Sequence, residues 1–277
     1  MVSLDRRFGG CIIRTFFVQA LAMGLVAPLA GRAVAGEIEP EYWAPPPAAG
    51  FHAAFGGAVT SDYISRGITN SNGEPAIQGY VEPSMVIPGL GATYLGVWSS
   101  NVDFGEGFEG AEIDAYGGIR PRFGPLALDL GYIHYFYTPE HVSPDYGELF
   151  AKADYNFDDM FSLGARVFFA PDYNQSGSSS TFVAGGVRVP LQDFSLYGGL
   201  GYQFFESPDE FEQLVWTAGI SYYWKALTFD VRYWGTDLSD DECVVRSGFS
   251  NGCGSRIAAT LSVDTTWSDL MDWGRGK

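Results

Sequence analysis

The sequence predicts an all-β fold, a transmembrane antiparallel up-and-down β-barrel of about twelve strands. Three observations lead there. Apolar and polar side chains alternate with period 2 in segment after segment from Phe51 onward. These segments are about ten residues long, the length a tilted strand needs to cross a bilayer. The connections between them alternate between short and long, as the two ends of such a barrel require.

Met1 to Ala35 reads as a cleaved export signal. Arg6, Arg7 and Arg14 form a basic start, Phe16 to Leu29 an apolar stretch, and Ala33-Val34-Ala35 a cleavage site. Cys11 precedes the apolar stretch and is expected to leave with it. Residues 36–50 hold Pro40 and Pro45-Pro46-Pro47, which favour polyproline II, and read as a periplasmic segment. Residues 51–267 are expected to form the barrel and residues 268–277 a periplasmic tail.

The clearest unit of the barrel is Ala111 to Thr138. Glu112, Asp114, Tyr116 and Arg120 share one parity, with Ile113, Ala115 and Ile119 on the other. After the breaker Pro121 to Pro125, Leu126, Leu128 and Leu130 alternate with Ala127, Asp129 and Gly131. Alternation on both sides of a Gly/Pro turn predicts a hairpin. The same pattern predicts strands over Phe51–Arg66, Ala76–Val86, Ala92–Asn101, Ala111–Arg120, Leu126–Tyr137 and Tyr146–Phe157. It continues over Phe161–Ala170, Thr181–Val189, Phe194–Phe205, Phe211–Trp224, Leu227–Thr236 and Arg256–Trp267. Short turns fall at Pro88-Gly89, Pro121–Pro125, Asp158-Asp159, Pro190–Asp193 and Lys225-Ala226, and longer loops lie between them at the other end. No run of about 18 apolar residues exists, so no helix is expected to span. Tyr137, Phe169, Phe204, Trp224, Trp234 and Trp267 lie near strand ends, where interfacial aromatic girdles are expected.

Several segments resemble a known family: Ser61-Asp62-Tyr63-Ile64-Ser65-Arg66-Gly67-Ile68-Thr69, Pro75-Ala76-Ile77-Gln78-Gly79, Gly96 to Phe104, Glu112 to Gly118 and Asp145 to Leu149. They are similar to the TorF family of porin-like bacterial proteins, over most of the chain from Phe51 to Trp267. The resemblance implies export and an outer-membrane location. Outer-membrane barrels commonly end on an aromatic residue of the last strand. Trp267 takes that part here, with Ser268 to Lys277 following.

Charge on the lipid face would cost about 2–4 kcal/mol per residue near the midplane, so charged residues should point inward. Parity then places Asp62, Arg66, Glu112, Asp114, Arg120, Asp129, Glu148, Lys152, Asp154, Arg166, Arg188, Asp230, Arg232 and Asp264 on the lumen, together with Glu82, Lys225 and Arg256. A wall of both signs suits a water-filled pore. The same charges would pair across a narrow barrel and plug it, and twelve strands lies between filled and open barrels.

The formal net charge is -17. Without the first 35 residues, 12 basic and 32 acidic residues leave -20. That excludes nucleic acid as a partner, since phosphate binding needs clustered Lys and Arg. Most of the excess lies in the long loops, from Glu74, Asp103, Glu106 and Glu109 to Asp237, Asp240, Asp241 and Glu242. An acidic mouth that concentrates cations follows as an expectation, with loop solubility or divalent bridging to lipopolysaccharide as alternatives. Cys243 and Cys253 are expected to form a disulfide in the oxidising compartment an exported chain reaches. The Asp103, Glu106, Glu109 spacing is not that of a calcium loop, so neither metal nor cofactor is expected. No G-x-S-x-G occurs and His52, His134 and His141 sit in no hydrolase motif, which argues against an enzyme. The expected function is passive diffusion of small hydrophilic solutes or ions across the outer membrane. A non-conducting structural or adhesive barrel is the first alternative and a barrel enzyme the second. Homo-oligomerisation is left open.

Overall fold

A computed structural model describes residue 38 and residues 48–158, 160–207, 210–248 and 250–274, with side chains to residue 271. The expected export signal, Cys11, nearly all of the Pro-rich segment, Asp159, Asp209 and the last three residues lie outside the described residues.

Twelve long strands close on themselves: β1 (Gly50–Thr60), β4 (Ala76–Ile87), β5 (Gly91–Asp103), β6 (Glu109–Arg120), β8 (Leu126–Thr138), β9 (Tyr146–Phe157), β10 (Phe161–Ala170), β11 (Ser180–Leu191), β12 (Phe194–Phe205), β13 (Gln213–Trp224), β14 (Leu227–Thr236) and β15 (Arg256–Thr266). Every neighbour in the sheet is antiparallel, β15 pairs with β1, and β6 pairs with β8 across the two-residue β7 (Arg122–Phe123). Closure leaves no sheet edge, as a spanning sheet requires. The all-β, twelve-stranded expectation holds.

Outward residues are apolar and exposed along whole strands, such as Leu163, Val167 and Phe169 on β10 and Phe229, Val231 and Tyr233 on β14. This is the lipid-facing belt that period 2 encodes. Two of the expected girdle residues do not belong to it. Tyr137 and Trp234 are buried inside the barrel. Their neighbours Phe136 and Tyr233 hold the outward parity, so one residue on, the side chain must point in.

The first segment departs most from expectation. It does not run to Arg66. β1 stops at Thr60, and the chain folds into the lumen as a small separate hairpin of β2 (Ile64–Ser65) and β3 (Ile68–Thr69). Its two-residue tip is Arg66-Gly67, both at positive φ (46° and 80°), the conformation a tight hairpin turn demands. Gly67 suits that φ and also lies close to the wall, where a Cβ would meet Val215 Cγ1 at 3.2 Å.

The described part of the longest loop carries a helix. Ser239 caps helix α1 (Asp240–Ser247) through a reciprocal bond pair with Glu242, the S-x-x-E capping box. The backbone N–H and hydroxyl of Ser239 hold the Glu242 carboxyl below the usual carboxylate range. Cys243 and Cys253 form the expected disulfide, with Cα atoms 5.8 Å apart. At the other end, Trp267 is the first residue of helix α2 (Trp267–Gly274) and not the last of β15. The reason is local: the Asp269 N–H donates to Thr266 Oγ1, a cap that turns the chain out of the strand.

Candidate functional site

The lumen is the candidate site. Thirteen of the fourteen lumen residues named from parity are buried, and Lys152 is half-buried, its Nζ 5.4 Å from the Phe150 ring centroid. Glu82 and Arg256 also point inward, as expected. Lys225 does not. It occupies the β13–β14 turn at positive φ, exposed, with its ammonium over Trp224. A turn has no strand parity to extend.

At the outer end, Asp62 anchors the root of the inner hairpin. It accepts from Thr69 Oγ1 at 2.5 Å and Ser71 Oγ at 3.2 Å, and pairs with Arg256 Nη1 at 2.6 Å. Arg256 also donates to the carbonyls of Asn251 and Gly252 beside Cys253. The Thr69 N–H donates to the same Gly252 carbonyl at 2.9 Å. The disulfide loop is therefore strapped onto the hairpin.

The hairpin tip crosses the lumen. Arg66 donates to both Glu148 oxygens, at 2.9 and 2.6 Å, and to Gln203 Oε1 at 3.1 Å. Its guanidinium carbon lies 4.7 Å from the Phe182 ring centroid and 5.1 Å from that of Phe168. Gln213 donates to the Arg66 carbonyl at 2.7 Å. Nearby on β6, Glu112 accepts from Tyr63 Oη at 2.8 Å, and Asp114 sits between Trp98 and Tyr135 in register.

Deeper charges are paired as well. Arg232 meets Asp230, which also accepts from Tyr197 Oη and Ser221 Oγ. Arg166 meets Asp154 at 2.7 Å. Arg120 bonds both Glu82 oxygens and reaches Asp129 at 3.2 Å, stacked 3.5 Å over Tyr94. Arg188 donates to Ser195 Oγ and Tyr223 Oη. Asp264 accepts from Tyr80 Oη. Most of the lumen charges are thus hydrogen-bonded to a neighbour on the wall or on the hairpin, some to an opposite charge and some to a hydroxyl.

Sequence reasoning missed the inward aromatics. Tyr94, Phe150, Phe168, Phe182 and Trp234 pack with Ile64 of the hairpin and with Ile38 into one buried cluster. Gly201 lets Phe182 lie flat on the wall, since a Cβ there would meet the ring at 2.4 Å. Gln203 and Gln213 were missed too. Strict parity along β12 and β13 points to both. Beside the hairpin lies a partly open cavity lined by Asp62, Tyr63, Gln78, Asp230, Arg232 and Trp234.

A family model described as "Bacterial protein of unknown function (Gcw_chp)" matches residues 44–264. The chain belongs to this family. The resemblance to the TorF family rests on the motifs alone. No curated protein matches the sequence. Among solved structures, the Gcw_chp chain is similar to the KdgM porin at a TM-score of 0.50 and 10% identity, over 76% of this chain and 98% of that one. It also matches an outer membrane channel from Pseudomonas putida F1 (TM-score 0.49, 11% identity, 83% and 100% covered). The NanC porin matches at 0.46 and 11% identity, with 78% and 98% covered. At such identities the likeness is one of fold: a closed antiparallel barrel similar to that of the KdgM porin.

Proposed function

We propose that this Gcw_chp protein is an outer-membrane porin. It passes small hydrophilic solutes or ions by passive diffusion, through a constriction set by the inner hairpin. The observation behind this is the inward parity of charges of both signs in a closed barrel whose outer belt is apolar. Acids predominate on the β4–β9 side (Glu82, Glu112, Asp114, Asp129, Glu148 and Asp154, against Arg120 and Lys152). Basic residues predominate on the β10–β14 side (Arg166, Arg188 and Arg232, against Asp230). Opposed walls of charge produce a transverse field, which orders water and dipolar solutes and discriminates between ions. The acidic outer loops add a cation preference by raising local cation concentration. Export through the cleaved N-terminal signal, outer-membrane lipid around the belt and lipopolysaccharide beside the loops belong to the same reading. The protein performs no catalysis in it.

The buried pairs and the aromatic cluster favour a second reading, a non-conducting structural barrel. Planar-bilayer recording on the refolded mature chain, Gly36 to Lys277, decides between them. The porin reading expects stepwise conductance, with a reversal potential on the cation side in a salt gradient. Steps with no reversal potential would remove the cation preference alone. Silence from both the native protein and a variant with residues 62–71 replaced by a short linker would sink the porin reading.

A further inference from the structure

The seat of Arg66 is a built receptor for a guanidinium group. Glu148 is fully buried on β9 and presents both oxygens to one planar fork. Such bidentate geometry fits guanidinium better than a spherical cation. Gln203 supplies a third acceptor, and the Phe182 and Phe168 rings offer cation–π contact. Tyr135 Oη donates to Glu148 Oε2 at 3.0 Å and helps fix the carboxylate. All of these groups belong to the barrel wall. The arginine that fills them does not: it sits on a two-strand hairpin outside the barrel's hydrogen-bonded ladder. No ladder hydrogen bond between wall strands passes through Arg66, which the wall holds through side chains.

A second observation points the same way. At the mouth, Arg246 lies 4.4 Å over the Phe205 ring and 5.4 Å over that of Tyr173, and pairs with Glu210 at 3.3 Å. From there the rings run inward without a break. Phe205 is 5.5 Å from Tyr173, Tyr173 is 4.9 Å from Tyr146, and Tyr146 stacks on Tyr135 at 4.7 Å. Tyr135 ends at Glu148. The barrel thus has two arginine seats of the same chemistry, aromatic faces plus a carboxylate, joined by a track of aromatic rings below an acidic mouth.

We propose that the Glu148–Gln203–Phe168–Phe182 wall is a binding site for planar organic cations of the guanidinium class, and that Arg66 occupies it as a tethered stand-in for the solute. This rests on the porin reading and names its solute class. A buried carboxylate that loses its cation is strongly destabilised, so a free guanidinium that fills the seat recovers part of the energy Arg66 supplies when in place.

The test uses Arg66→Gly, since glycine accepts the positive φ of the tip, with methylguanidinium as the probe. The thermal midpoint of the refolded variant should rise saturably with low-millimolar methylguanidinium, beyond any effect of equal sodium chloride. Binding to the folded state alone shifts the midpoint in that way. The rise should vanish in Arg66→Gly/Glu148→Gln. In bilayers the same probe should interrupt the variant's current. Should Arg66→Gly not refold, Arg66→Lys keeps a charge on the seat, and a smaller saturable rise is expected from it. No saturable rise in either variant overturns the proposal. A rise, with silence in bilayers from both the native protein and the variant with residues 62–71 replaced, keeps the binding site and removes the porin reading, whereas conductance without a rise does the reverse.

Discussion

At the scale of single residues, the lumen is held by charges that cannot be spared one at a time. Arg120 is the clearest case. Glu82 takes two of its hydrogen bonds, Asp129 a third, and Tyr94 covers its face. Removing one partner of a buried pair leaves a charge without compensation, at about 3–5 kcal/mol. Asp129 still faces Arg120 in Glu82→Gln, so the low end, about 3 kcal/mol, is expected for it. Urea unfolding in lipid vesicles measures this, with Glu109→Gln, at the exposed start of β6, as a control that should stay within about 0.5 kcal/mol. Equal stabilities for the two variants would mean that the Arg120 cluster holds nothing together. Parity makes these charges legible in the sequence, because a charged side chain on a spanning strand has one tolerable direction. Their partners are less legible. Glu148 meets an arginine 82 positions away and Asp62 one 194 positions away, distances over which no local pattern reports. Trp234 and Tyr137 mislead for a different reason: a place near a strand end suggests the interface, whereas parity turns both side chains inward.

At the scale of elements, the outer end is a stack of two devices, the inner hairpin and the disulfide loop above it. The hairpin is hidden in the sequence because alternation runs on from Phe51 to Asp62 without a strong breaker. The one sign is Arg66-Gly67 between short β-prone pairs, a hairpin tip by composition. The disulfide is legible, because two cysteines in one loop of an exported chain have few other fates. What it does is not. It holds the carbonyls of Asn251 and Gly252 where Arg256 and Thr69 reach them. Closing a loop of about ten residues contributes about 2.5–3 kcal/mol in the chain-entropy model. Reduction should release α1 and lift Arg246 from the Phe205 and Tyr173 rings. Limited trypsin digestion reads this directly. The oxidised protein should resist cleavage after Arg246, and the dithiothreitol-treated protein should be nicked there first. Equal rates in both states would show that the loop is held without its disulfide.

At the scale of the whole molecule, the fold follows from one physical demand. A chain that crosses lipid as strands must satisfy its backbone in a closed sheet and turn its apolar parity outward. Twelve strands achieve this here, and both the strand count and the alternation of loop lengths are legible in the order of the amino acids. The degree to which the lumen fills is not, since it depends on how inward rings such as Phe150, Phe168 and Phe182 meet across the barrel. If the belt is immersed as its pattern implies, the cost of an outward charge must depend on depth. Leu200 lies mid-strand on β12 and is 59% exposed, while Phe194 begins the same strand on the same face at 43%. Leu200→Arg should destabilise the protein by about 2–4 kcal/mol in vesicles, and Phe194→Arg by about 0–1, because the first lies near the midplane and the second near the interface. In aqueous detergent-free refolding no such gradient arises from the strand alone, so equilibrium unfolding from vesicles is the measurement. Equal costs at both sites would mean that β12 does not run from interface to midplane. The assignment of the apolar belt to lipid, and with it the inward charge of every strand, would then lose its physical basis.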